Sequence, residues 1–341
     1  MTVENKDIYI SYWLLLITFL VAFMIFVGGM TRLTDSGLSI TKWDLISGIL
    51  PPLSLSGWEN SFSLYKQIPE YKLQNSSMTL EQFKVIYWWE YGHRLLGRII
   101  GLFYLIPLLY FTFKKKIKKD SAVSLYSILL LILFQGFIGW YMVKSGLTDR
   151  IDVSHYRLSL HLILAFFIFI LLLWNYLKYK NQQILKHHKK ISTYLLVFFI
   201  FCILVQISIG ALVSGLDAGQ IYQSWPLMNQ NFFPDDSNYR DLFSVKAFEI
   251  PSIVQFMHRN MAYFIFLLSI CIGVIVFNDK GFEYLRKTTL FVLLFILLQT
   301  LLGIFTVISG AQIFLASMHQ MGSILLITAS LILLFKNSRI N

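Results

Sequence analysis

Four histidines set the chemistry open to this sequence. Two stand in the pairs Glu90-Tyr91-Gly92-His93-Arg94 and Gln255-Phe256-Met257-His258-Arg259, and His161 and His319 open two further apolar runs. Neutral imidazole is a common axial ligand of haem iron, and ionisable side chains within apolar segments are functional candidates by default. One such histidine alone would read as a hydrogen-bonded core residue. Four of them, two per half and each near the same end of its segment, point instead to iron ligands for two haems.

The neighbours of the histidines add to this. Side chains four apart share one helix face, and the i+4 partners are Gly97, Ala165, Ala262 and Ser323, all small, with Gly101 extending the first series. Small residues let a flat macrocycle approach the backbone, although they also let helices pack closely. Arg94, Arg98 and Arg259 offer guanidinium groups for haem propionates; the plainer reading is snorkelling to the membrane surface. Glu90 lies one turn before His93, where a carboxylate could take up a proton or steady a cation during oxidation. Its counterpart is the amide Gln255. That exchange divides two otherwise equal sites into one where a haem is worked upon and one where it serves as cofactor.

The elements that must position these residues are membrane helices. The chain of 341 residues is 56% hydrophobic and only 14% charged, a balance that excludes an ordinary soluble domain. A spanning helix needs roughly 20 apolar residues. Eight segments qualify, at about 10–30, 88–112, 121–143, 156–177, 191–214, 252–277, 287–308 and 313–335. The formal charge of +11 is spread over alternate connections, in Lys114–Lys119, Lys178–Lys190 and Lys280–Lys287, and over both ends of the chain. It is therefore an orientation signal, placing those segments in the cytoplasm, and not a nucleic-acid surface. With N-in and C-in topology, all four histidines come to the outer side of the membrane. The first span follows Glu4 and Asp7 and reads as a retained helix, not a signal peptide.

The sequence repeats itself. Gly28-Gly29-Met30-Thr31-Arg32-Leu33-Thr34-Asp35-Ser36-Gly37 matches Gly210-Ala211-Leu212-Val213-Ser214-Gly215-Leu216-Asp217-Ala218-Gly219, and at the same offset Trp43 falls on Trp225 and Pro52 on Pro234. Gln135-x3-Gly139-x5-Ser145-Gly146 returns as Gln299-x3-Gly303-x5-Ser309-Gly310. Four spans per repeat predict two parallel-repeat four-helix bundles, an all-α polytopic membrane protein divided at 1–180 and 181–341. The connections 31–87 and 215–251 are long and aromatic; Trp43, Trp58, Trp88, Trp89 and Trp225 fit an interfacial belt, and the same segments could cap a pocket.

Other candidates carry less. Cys202 and Cys271 read as small buried hydrophobes. His187 and His188 lie in a basic connection, and His155 is on another face from His161. Asp35 and Asp217 read as turn residues at helix ends.

The first of these motifs, with Leu38-Ser39, Trp43 and Pro51-Pro52, and the run Glu90 to Arg98 resemble the haem A synthase family over essentially the whole chain, most closely its proteobacterial and mitochondrial type. The resemblance implies oxidation of the C8 methyl of haem O to a formyl group, giving haem A for terminal oxidases. It implies haem b between His258 and His319, and substrate at His93 and His161 with Glu90 as catalytic carboxylate. Haem O and membrane lipid are the expected partners, with haem O synthase, oxidase assembly factors and a second copy of the chain as further candidates and the electron acceptor open. The cysteine pair that some members carry between residues 31 and 87 is missing here. Two alternatives stand beside this reading. A di-haem b electron-transfer protein of the quinol-linked type would explain the histidines but not Glu90 opposite Gln255. A transporter would place its polar groups near the midplane.

Overall fold

The computed structural model describes residues 4–42, 47–147, 151–180 and 189–339. Trp43, His187 and His188 lie outside these. Among the described residues there are ten α-helices and no strand beyond one isolated bridge, Met228 with Asn231. Eight helices are long and apolar enough to cross a membrane, in agreement with the eight expected segments. These are α1 (Glu4–Leu33), α4 (Leu80–Phe113), α5 (Lys119–Gly146), α6 (His155–Lys180), α7 (Thr193–Gly215), α8 (Pro251–Asn278), α9 (Glu283–Ile308) and α10 (Ile313–Ser338). The short α2 (Leu55–Tyr65) and α3 (Pro69–Leu73) lie in the first long connection. The chain is an integral membrane protein.

Local chemistry sets the ends of these helices. Thr79 and Gln82 form a capping box that starts α4: the Gln82 N–H donates to Thr79 Oγ1 at 3.3 Å, and the Thr79 N–H to Gln82 Oε1 at 2.9 Å. That cap lies well before the expected start at 88. Phe83, Ile86 and Tyr87 are buried, so the first turns of α4 bury their apolar face against α2 and α3 instead of lipid. At 34 residues, α4 is roughly 50 Å long, well beyond the roughly 30 Å of a hydrocarbon core. Asp35 and Asp217 take left-handed φ angles of 47° and 49°, which Asp tolerates better than most residues and which end α1 and α7 in the same way.

α1, α4, α5 and α6 pack in a closed ring, as do α7, α8, α9 and α10; α6 on α7 and α1 on α10 join the two rings. The joint between them is apolar in its middle and polar in a few places. The Ser159 and Ser208 hydroxyls meet at 2.8 Å. Gln320 donates to the Ile25 carbonyl at 2.8 Å, lying where a Cβ on Gly29 would stand. Arg32 bonds Asp35 at 2.6 Å, Asp217 at 2.8 Å and the Ser214 carbonyl at 2.7 Å, stapling the ends of α1 and α7. Cys202 is buried, but Cys271 is exposed. The expectation of two buried cysteines holds for one of them; Cys271 faces outward from α8, where lipid would cover it.

The two long connections differ. The first folds as a small domain whose buried core is Leu38, Phe62, Tyr65, Ile68, Phe83, Ile86 and Tyr87. The second, from 216 to 250, is turns and single-turn helices around Phe233, Ala247 and Ile253.

Candidate functional site

The four histidines come together two by two. The ring centroids of His93 on α4 and His161 on α6 are 6.4 Å apart, and those of His258 on α8 and His319 on α10 are also 6.4 Å apart. Two imidazoles bonded to one metal from opposite sides, with bonds of about 2 Å and ring radii of about 1 Å, have centroids roughly 6 Å apart. Among the described residues no three His, Cys, Asp or Glu side chains gather. Two opposed imidazoles are the donor set haem requires, because the macrocycle supplies the equatorial nitrogens. The residues present therefore fit haem in both halves.

Each imidazole is seated on a glycine of the neighbouring helix. A Cβ on Gly139, Gly210 or Gly303 would lie 3.0 Å from Cε1 of His161, His258 or His319 respectively. On Gly28 it would lie 3.1 Å from His93 Nε2. These glycines stand out in the sequence as repeated positions, but only the folded chain gives them the job of making room for a ring. A second repeated residue holds the histidine turn itself. Gln135 donates to the His161 carbonyl at 3.0 Å, Gln206 to that of His258 at 3.1 Å, and Gln299 to that of His319 at 2.7 Å. Gln206 Nε2 also comes within 3.2 Å of His258 Nε2. The Gln-x3-Gly spacing puts amide and glycine on one face of the supporting helix. Sequence reading saw this motif as evidence of duplication and missed its use.

Of the small i+4 residues, Gly97 faces Met24 of α1, whose Cε lies 3.1 Å from an ideal Cβ there, and Ser323 turns its hydroxyl to the Gln320 carbonyl at 2.6 Å. A Cβ on Gly101 would meet nothing within 4 Å. Gly97 thus bears on a side chain of α1, and Gly101 on open space.

Glu90 and Gln255 are both 2% exposed and are engaged with opposite polarity. Glu90 Oε2 accepts from the Ser39 hydroxyl and the Ile40 N–H, both at 2.7 Å, and Oε1 accepts from Arg94 at 2.5 Å. Gln255 donates to the Tyr222 carbonyl at 3.0 Å, and Tyr222 stands 182 residues after Ile40. The arginines follow the same correspondence. Arg94 donates to the carbonyls of Ile40 at 3.0 Å and Lys42 at 3.5 Å; Arg259 donates to those of Tyr222 and Ser224, each at 2.9 Å. Both guanidinium groups therefore hold the long connections down on the histidine helices, a use neither the propionate nor the snorkelling expectation contained. Arg98 is half-buried one turn beyond Arg94. Its counterpart on α8 is Tyr263, whose hydroxyl accepts from the Trp225 indole at 3.1 Å. His155 is buried away from both pairs, with Nε2 3.5 Å from Glu249.

A cavity of about 300 Å³ opens beside the N-terminal pair, lined by Ile40, Thr41, Arg94, Trp140, Val143, Lys144 and Leu147. Val143 and Leu147 continue the face of α5 that begins at Gly139, so it lies one to two turns from the His161 seat.

Comparison with known proteins shows the family. The sequence profile of the COX15-CtaA family, described as cytochrome oxidase assembly protein, matches residues 11–331. The chain is 49% identical over 337 residues to a protein of Pelagibacter ubique (strain HTCC1062) named Heme A synthase, covering 98% of this chain and 99% of that one. It is 45% identical over 324 residues to the Heme A synthase of Rickettsia bellii (strain OSU 85-389), covering 94% and 95%. To that of Bartonella henselae (strain ATCC 49882 / DSM 28221 / CCUG 30454 / Houston 1) it is 39% identical over 317 residues, covering 91% and 87%. With the family profile spanning nearly the whole chain and relatives of this closeness along its full length, the chain belongs to the COX15-CtaA family.

Proposed function

We propose that the chain is a haem A synthase. It oxidises the C8 methyl of haem O to a formyl group at His93 and His161, and it holds a b-type haem between His258 and His319. The observation that carries this is the pair of matching histidine sites, one with a buried carboxylate and the other with an amide in its place. The relatives' name supplies the substrate, which the residues alone do not.

Turning a methyl into a formyl group is a four-electron oxidation that takes its oxygen from water and releases four protons. Glu90 is the nearest described carboxylate in sequence to the N-terminal ligands, and it is placed to accept protons at Oε1 or Oε2. Ser39, the Ile40 N–H and Arg94 hold that carboxylate in one orientation. The first connection, folded over α4, covers Glu90, which is 2% exposed. The haem held by His258 and His319 would supply a one-electron redox centre.

The division into an N-terminal substrate bundle, 1–180, and a C-terminal cofactor bundle, 181–341, follows from the same asymmetry. The lysine-bearing connections at the other ends of the helices support a topology with the histidines on the outer side of the inner membrane. Each formyl group formed requires that four electrons pass to an external acceptor.

A second reading has one observation in its favour. Glu90 and Gln255 each pin the corresponding backbone position, through an accepted N–H in one half and a donated amide in the other. The exchange could therefore be structural, in a di-haem b electron-transfer protein. Co-expression with a haem O supply separates the two: haem A or its hydroxylated precursor in the extract supports the synthase, and unchanged haem O supports the electron carrier.

A further inference from the structure

Three of the four histidine turns are tied to a neighbouring helix by a glutamine amide, and the fourth is not. Gln135, Gln206 and Gln299 each stand four residues before the glycine on which the ring rests. At the same place before Gly28 stands Met24, 182 residues ahead of Gln206. A thioether has no N–H to donate. Met24 instead turns its methyl toward Gly97, filling the space beside the turn that follows His93. Among the described residues no side chain donates to the His93 carbonyl. The ring also sits differently, with its Nε2–Cδ2 edge toward Gly28 where the other three present Cε1.

Resting on the synthase reading, we propose that His93 is the ligand that releases the iron so that one haem can leave and the next can enter, and that Met24 is the positioning residue that leaves it free. A resident haem profits from two tethered ligands, and both His258 and His319 are tethered. A site that exchanges its haem needs one ligand that stays and one that yields. His161 is tethered; His93 is not. The missing tether falls in the half assigned to the substrate on other grounds, the Glu90–Gln255 exchange. A single hydrogen bond between membrane helices shifts a local equilibrium about threefold to twentyfold, which sets the size of the effect.

The test uses the full-length protein in detergent, loaded with iron protoporphyrin IX, and follows transfer of that haem to excess apomyoglobin. The wild type should show a fast phase from the N-terminal half and a slow phase from the C-terminal half. Met24→Gln should slow the fast phase about threefold to twentyfold and raise the low-spin, bis-imidazole fraction in the absorption spectrum. Met24→Leu should leave both unchanged. Gln206→Met, made separately, should speed the slow phase by a similar factor. An unaltered fast phase in Met24→Gln, or equal slowing by Met24→Leu, overturns the proposal. A fast phase that ignores His161→Ala removes haem from the N-terminal pair, and with it the site assignment on which the proposal rests.

Discussion

The two halves of this protein place histidine pairs at the same 6.4 Å separation, seat each ring on a glycine, and use an arginine to hold down the connection above. Four differences around the histidines stand out beside the turned His93 ring. The N-terminal half has Glu90 for Gln255, Met24 for Gln206, Arg98 for Tyr263, and a folded helical cap where the C-terminal half has turns. Every difference puts more charge, more freedom or more cover on the N-terminal side. The two histidine pairs share one scaffold of glycine seats and arginine anchors and differ in the groups around the histidines.

The largest effect that would break this comparison is at Glu90. Glu90→Gln keeps a hydrogen-bonding side chain of the same length and should lower haem A formation by about 100-fold or more, the scale of a lost acid–base group. The resident b-type spectrum should survive, as read by absorption of the purified protein with haem extraction. Gln255→Glu, the reverse exchange, should leave conversion within a few-fold of wild type. Equal losses from both would mean that the two residues only hold connections.

Next in size are the glycine seats. A methyl on Gly303 would lie 3.0 Å from His319 Cε1, tighter than ordinary contact, and overpacking of this kind costs about 1–3 kcal/mol. Gly303→Ala should therefore lower the haem content of the purified protein, while Gly139→Ala should spare that haem and lower conversion. Haem per protein, measured for both variants, tells whether the seats belong to separate sites.

The smallest effect sharpens the difference between the caps. Glu70 is buried in the first cap, its carboxyl accepting from the Tyr65 hydroxyl at 3.0 Å, and burial pushes its pKa up from 4.5 to about 8. Because the folded value lies above the unfolded one, this group supports the cap fully below pH 4.5, and that support is lost as pH rises to about 8. Hydrogen exchange over residues 55–75 should speed up between pH 5 and pH 9 after correction for intrinsic rates. Glu70→Gln should flatten that dependence, and the second cap should show none of it.

Much of this was legible beforehand. Eight apolar runs separated by lysine-bearing connections left little choice of fold, and four histidines at corresponding positions exposed both pairs. The 80–87 turns of α4 were not legible as part of that helix, because their apolar side chains are covered by the first long connection, which no local pattern announces. The roles of Gln135, Gln206 and Gln299 were hidden for another reason: each bonds a backbone carbonyl on a different helix, and a carbonyl has no signature in sequence. Arg94 and Arg259 were singled out for their charge, yet both bond backbone carbonyls of segments more than 30 residues away.

The division of labour between the halves is tested most directly by a haem inventory of two double variants produced with a haem O supply. His258→Ala with His319→Ala should lose the resident b haem. His93→Ala with His161→Ala should keep it and form no haem A. Loss of the b haem from the N-terminal double variant, or haem A formed without that pair, would contradict the account.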